Sequence, residues 1–234
     1  VRILGHKIPQ HRLKHTKAIY TKSQKEMRAE REEHQKNRNG EYFKYMVEES
    51  LTGAALGWAF NAPVPEILKI LRGGLREAQF MARFKAPFDP GEFPSFLGVA
   101  LMVQDREVTP WMLSLARRHF TRKDIEYSEA AYLPIEAMQS GGKAERSFPV
   151  AVQKFAASIT PQKLIVNSRS ENAYFAPLVA LLEAIVVKDQ ETFDKAWRKE
   201  EGAWRKEFSS PARSGSSRGI LDFVALGIGR IADK

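Results

Sequence analysis

The sequence predicts an all-α protein of about nine helices packed as antiparallel hairpins, and three observations predict it. Apolar residues recur at helical spacing almost throughout. Helix starts are marked at Thr109-Pro110 and at Asp189. Strand-like alternation is confined to one poor candidate, "KLIVNS" at 163–168. No internal repeat is visible.

Taken in order, residues 1–20 mix scattered apolar side chains with His and basic residues. Residues 21–39 are helix-forming in composition, with Met27 as their single large apolar residue, and are expected to end near Asn39-Gly40. A helix polar nearly all round has little to bury, so a solvated or partner-facing arm is expected. From Glu41, Tyr42, Tyr45, Met46, Leu51, Ala55 and Trp58 repeat at helical spacing, and Gly53 and Gly57 invite close approach of another helix. Pro65 and Glu66 suit the first turn of the next helix, which Gly73-Gly74 is expected to weaken or kink. "KAPFDPGEFP" reads as a loop, and "SFLGVALMVQD" and "TPWMLSLARRHF" as helices. Pro134 is expected to interrupt a helix that Gly141-Gly142 closes; another ends near Thr160-Pro161.

The most organised stretch is 174–208. Leu178, Leu181, Leu182 and Ile185 give its first helix an apolar face, and Asp189 caps the second with almost no loop between them. Phe193, Trp197, Trp204 and Phe208 fall at about 0°, 40°, 20° and 60° around that second helix, a narrow stripe. Residues 209–218, "SSPARSGSSR", read as a flexible linker, and Leu221, Val224, Ile228 and Ile231 mark a terminal helix. The expected organisation is a basic N-terminal arm or helix over 1–40 and an all-helical domain over 41–234.

At 43% hydrophobic and 28% charged the chain is globular in composition. Zero cysteines exclude disulfides, thiolate metal sites and a Cys nucleophile. No apolar run reaches the ~18 residues of a spanning helix, so no membrane partner is expected. No secretory signal is visible in the residues given, which begin at Val1 and leave the native start open; a cytoplasmic location is expected, with the periplasm kept open. The net charge of +9 is uneven: residues 1–40 hold eleven Lys/Arg against four Asp/Glu, a net +7, leaving +2 for the other 194.

No catalytic constellation emerges. His11 and His15 are four apart, but no acid lies near enough in sequence to complete a metal shell, so no metal and no cofactor are expected. "SGGKAERS" and "GIGRIA" lack phosphate-loop spacing, and their glycines suit packing or capping. Glu48-Glu49 and Glu200-Glu201 are adjacent, so each pair diverges by about 100°. Glu183, in an apolar helix, fits a boundary position on its wet side. The aromatic stripe is better read as core than as a base-stacking platform, because Asp194, Glu200, Glu201 and Glu207 offset the neighbouring cations. The candidate binding residues are Lys14, Lys17, Lys22, Lys25, Arg28 and Arg31.

"YFAPLVALLEAIVVKD", the short acidic turn into "ETFDKAWRKEEGAW", the Ser/Pro/Gly-rich break and "GILDFVALGIGRIADK" follow one another in an order that resembles the immunity protein 49 family of bacterial polymorphic toxin systems. "EESLTGAALGWAFNAPVPEILKILRGGLREAQF" also suits such proteins, so the resemblance covers roughly 41–234. It implies a non-enzymatic protein that binds and neutralises one cognate toxin domain. The +7 segment then favours an acidic patch on that toxin. The rival expectation is a helical protein whose basic arm binds nucleic acid, separable by its steep salt dependence.

Overall fold

The computed structural model describes residues 10–88, 93–119, 129–158, 168–207 and 222–233. Ten helices and no strand are found among them, so the all-α expectation holds. "KLIVNS" up to Asn167, the Thr160-Pro161 end, Phe208, Leu221 and the 209–218 linker lie outside the described residues. The helices fall into two compact units, α1–α3 in one and α4–α10 in the other.

In the first unit, α1 (Gln10–Lys36), α2 (Gly40–Ala59) and α3 (Val64–Arg83) run up, down and up through short turns. Arg38 in the left-handed region (φ 54°) ends the first turn, and the Asn39 side chain then caps α2 by accepting from Tyr42 N at 3.3 Å. Asn39 therefore starts a helix rather than finishing one. The α2–α3 hairpin closes on Phe43, stacked on Phe80 with ring centres 5.1 Å apart and tilted against Phe84 at 5.5 Å. Burying Phe43 completely contributes about 1.5–3 kcal/mol. Gly74 faces Ser50 so closely that a Cβ would collide with it, while Gly73 faces open space. The expected kink does not occur; α3 runs unbroken, because Gly74 is there to admit α2.

The second unit is organised around α4 (Phe93–Val103), in which Phe93 through Leu101 and Val103 are buried. A helix apolar on every side has to be central. α10 (Phe223–Ala232) crosses it at Gly98 and Gly227, where backbone meets backbone with no space for a side chain on either. α5 (Val108–His119) is capped by Asp105, whose Oδ1 accepts from Glu107 N and Val108 N at 3.0 Å each. The cap expected at Thr109 is thus displaced: its hydroxyl instead donates to Ala100 O at 2.8 Å, tying α5 to α4. α6 (Glu129–Gly142) runs through Pro134 and ends at Gly142, and α7 (Phe148–Ser158) carries Pro149 in its first turn.

The hairpin of α8 (Ser168–Val187) and α9 (Gln190–Glu207) has the expected two-residue turn. Asp189 Oδ1 accepts from Glu191 N at 3.0 Å and its other oxygen accepts from the Thr192 hydroxyl, which holds this carboxyl below its ordinary pKa. Trp197 and Trp204 are buried as expected, and Glu183 is exposed. Gly141, Gly142, Gly227 and Gly229 each face side chains or backbone of a neighbouring helix, consistent with packing glycines.

Candidate functional site

The basic segment is not a separate arm. Taking Tyr20 as zero, Ser23, Gln24, Met27, Arg31 and His34 fall within roughly 60° of it on α1, forming one face. That face lies on α2 in antiparallel register. Tyr42 donates its hydroxyl to Met27 O, and the Tyr20 hydroxyl occupies the space a Cβ on Gly53 would take. Lys17 lies 4.5 Å from the Phe60 ring centre. The small residue expected to admit a helix does admit one, through a tyrosine.

Arg31 is part of this seam and not of a free surface. Its Nε and Nη2 reach the two carboxylate oxygens of Glu77 on α3 at 3.2 Å each, the two-pronged geometry guanidinium favours. The same guanidinium lies over Phe80 at 5.1 Å and Phe43 at 5.8 Å. Arg31 therefore binds the protein's own α2–α3 hairpin, which sets it apart from the other five expected contact residues. Its neighbour Nη1 donates to Gln35 Oε1 at 3.2 Å, using a further donor within the fold.

The other five cations are exposed, and helical geometry groups four of them. Lys17, Arg28, Lys14 and Lys25 fall at roughly 60°, 80°, 120° and 140° around α1. Lys22 lies further round at about 200°, paired with Glu26 at 3.9 Å. The acids of α1 occupy the opposite flank: Glu33, Glu26 and Glu30 fall at about 220°, 240° and 280°. Glu32 alone lies among the cations. One helix thus presents a packed face, a basic flank some 20 Å long at 1.5 Å per residue, and an acidic flank.

Beside the basic flank is a group that sequence reasoning treated as one of two adjacent acids. Glu49 of α2 is half-buried against α1, and its Oε2 is buried with no hydrogen-bond partner among the described residues. Burial pushes its carboxyl above the ordinary 4.5, opposed by hydrogen bonds to Gln24 of α1 and Tyr45 of α2. Burial also raises Tyr20, reinforced by Glu49 and opposed by Arg28. Tyr45 itself is 48% exposed, an aromatic ring on the surface. The signal for Glu49 was its spacing: Tyr42, Met46, Glu49 and Gly53 share one side of α2 at intervals of 4, 3 and 4.

A carboxyl whose folded pKa is raised binds its proton more tightly in the folded state. Stability then falls as pH rises from the ordinary carboxylate range through the raised value, and the penalty is complete above it. Glu49→Gln is accordingly expected to melt higher than wild type at pH 7–8 and level with it near pH 4. Thermal melts across that range check this; a Gln variant less stable at pH 8 than wild type contradicts the sign.

Glu200 is the second acid with an unexpected setting, fully buried at 0% exposure on α9 while Glu201 pairs with Arg205 at 2.6 Å. No group of three or more metal-capable side chains occurs among the described residues. No described helix is long and apolar enough to cross a membrane.

No protein family, curated protein or solved structure matches this chain.

Proposed function

We propose that the protein acts by binding another protein, as an immunity protein that neutralises a cognate toxin domain through an acidic surface on it. The observation that supports this reading is the division of α1. One face is locked onto α2 and α3, so the cations on the adjoining flank are held in place rather than carried on a loose arm. Pre-positioned charge speeds encounter with a complementary surface above the ~10⁵–10⁶ M⁻¹s⁻¹ of uncharged docking. The acids of α1 give the surface polarity, which orients a protein partner. The order of helices over 41–234, with its resemblance to immunity protein 49, gives the reading its biological setting.

The test is to express the product of the neighbouring gene, ask whether it is toxic, and co-express it with this chain, together with association kinetics. Wild type is expected to restore growth. Lys17→Glu, Lys25→Glu and Arg28→Glu combined are expected to slow association at least tenfold at low salt, with a smaller effect at high salt. Arg31 is kept, since reversing it breaks the Glu77 pair and confounds binding with unfolding. Tight duplex DNA binding that collapses with salt, with no rescue from toxin, overturns the reading in favour of nucleic acid.

A further inference from the structure

The pentapeptide Ala-Trp-Arg-Lys-Glu occurs in α9 at 196–200 and again at 203–207, seven residues on. Seven residues bring a helix back to nearly the same side, so both tryptophans enter the core and both Arg-Lys pairs face outward. The echo is one heptad long, far short of a repeat architecture. Between its two copies stands Gly202. Taking Gly202 as zero, Lys195, Lys206 and Lys199 fall at about 20°, 40° and 60° to one side, and Arg198 and Arg205 at about 40° and 60° to the other. All six residues are exposed, while the buried Trp197, Glu200 and Trp204 lie about 140–160° away. The acids that offset these cations in composition stand mostly elsewhere: Glu200 is in the core, and Asp194 and Glu201 lie about 80° and 100° round on the arginine side. Glu191 shares the face, paired with Lys195 at 2.8 Å, as Glu201 is with Arg205 at 2.6 Å. Exposed pairs of this kind exchange partners at little cost.

Glycines inside the helices of this protein mark close approaches: Gly53 takes Tyr20, Gly74 faces Ser50 and Gly98 meets Gly227. Gly202 has the same mid-helix setting and meets nothing within 4 Å. It weakens α9 relative to alanine and leaves room for a second helix axis to come close. Gly73 is open as well, but Glu66 and Lys69 beside it give its surroundings no single sign. We infer that the outer face of α9 seats an acidic helix of a partner protein, which lies along α9, comes closest at Gly202 and pairs its carboxylates with Arg198-Lys199 and Arg205-Lys206. The two cation pairs are about 10 Å apart, the rise of seven residues in a facing helix. A missing side chain serves the close packing of two helices, whereas phosphates meet Lys and Arg at their tips. Glu191, Asp194 and Glu201 along one edge repel a phosphate backbone and give a protein partner its orientation. The face belongs to α9 alone and stands apart from the α1 flank proposed above.

The experiment titrates the isotope-labelled full chain with three probes and reads backbone amide shifts. The first is a 21-residue helical peptide of Ala and Glu with adjacent glutamates every seven residues. The second has the same composition with its glutamates spread evenly round the helix, and the third is a 16-base-pair duplex. The patterned peptide is expected to perturb amides of residues 195–206 and to bind there at least fivefold more tightly than the even one. Gly202→Leu is expected to remove that preference while melting no lower than wild type, since its side chain enters open space. Arg198→Glu combined with Lys199→Glu is expected to weaken the patterned peptide at least tenfold. Equal binding of the two peptides, a preference that survives Gly202→Leu, or shifts confined to α1 overturn the seat and leave the α1 reading standing. Tightest binding of α9 by the duplex, or no binding there by either peptide, overturns the acidic helix as its occupant.

Discussion

Gly98→Ala is expected to destabilise the second unit by about 3 kcal/mol, at the upper end for an added methyl group. The reason is what a Cβ at Gly98 would meet: the backbone carbonyl of Phe223 and the Cα of Val224 on α10. A side chain in the way can rotate, but a helix backbone can only move as a whole. From the other side, a Cβ on Gly227 would meet the backbone of Gly98, so Gly227→Ala is expected to cost a similar amount. The control lies in the same unit. Gly202 of α9 has nothing within 4 Å of a built Cβ, so Gly202→Ala removes a helix-interior glycine at no steric cost and is expected to stabilise by about 0.5–1 kcal/mol. Denaturant unfolding of the three variants decides it. Gly98→Ala unfolding within experimental error of wild type would show that α4 and α10 do not cross there.

Trp204→Ala is expected to cost about 3–5 kcal/mol, the range for truncating a buried large aromatic. Trp204 has no exposed surface and is the largest fully buried side chain described. Trp197, 8% exposed with its ring against Gly229, belongs to the same stripe and is expected to fall at the lower end of that range. Equilibrium unfolding followed by far-ultraviolet circular dichroism gives both values. A Trp204→Ala protein that keeps wild-type stability and loses partner binding would make the stripe a ligand platform and not a core.

The stripe also shows what could be read from sequence and what could not. Period and capping chemistry together carry the all-α class, the α8–α9 hairpin, the Asp189 cap and the buried tryptophans, because each depends on residues within a few turns. The same angular arithmetic puts Glu200 at about 340° from Phe193, at the edge of the stripe. A carboxylate at that position does not register in a pattern of apolar residues. Arg31 was hidden for a different reason. Its partner Glu77 lies on another helix, and a lone Met27 gave little sign that α1 had a face to bury. Polar residues make that face: Tyr20, Gln24 and His34 pack by hydrogen bonding and ring contact, which a hydrophobic pattern does not register. Helix ends were obscured similarly. Arg38, Asn61, Lys85, Gln104, Ala144 and Lys188 take the left-handed conformation just after helices, where sequence reading looks for glycine.

The crossing of α4 and α10 sets a clock for biosynthesis. The helices α1, α2 and α3 are consecutive in sequence, so these three can associate soon after they emerge. α4 leaves the ribosome early with all its sides apolar, yet the surface that covers it at Gly98 is made only when residue 227 is added. At ~5–20 residues per second that interval lasts about 6–26 s. Through it the nascent chain carries a sticky, unfinished core. Chaperone occupancy on translating ribosomes should therefore rise as α4 emerges and fall only after α10 does.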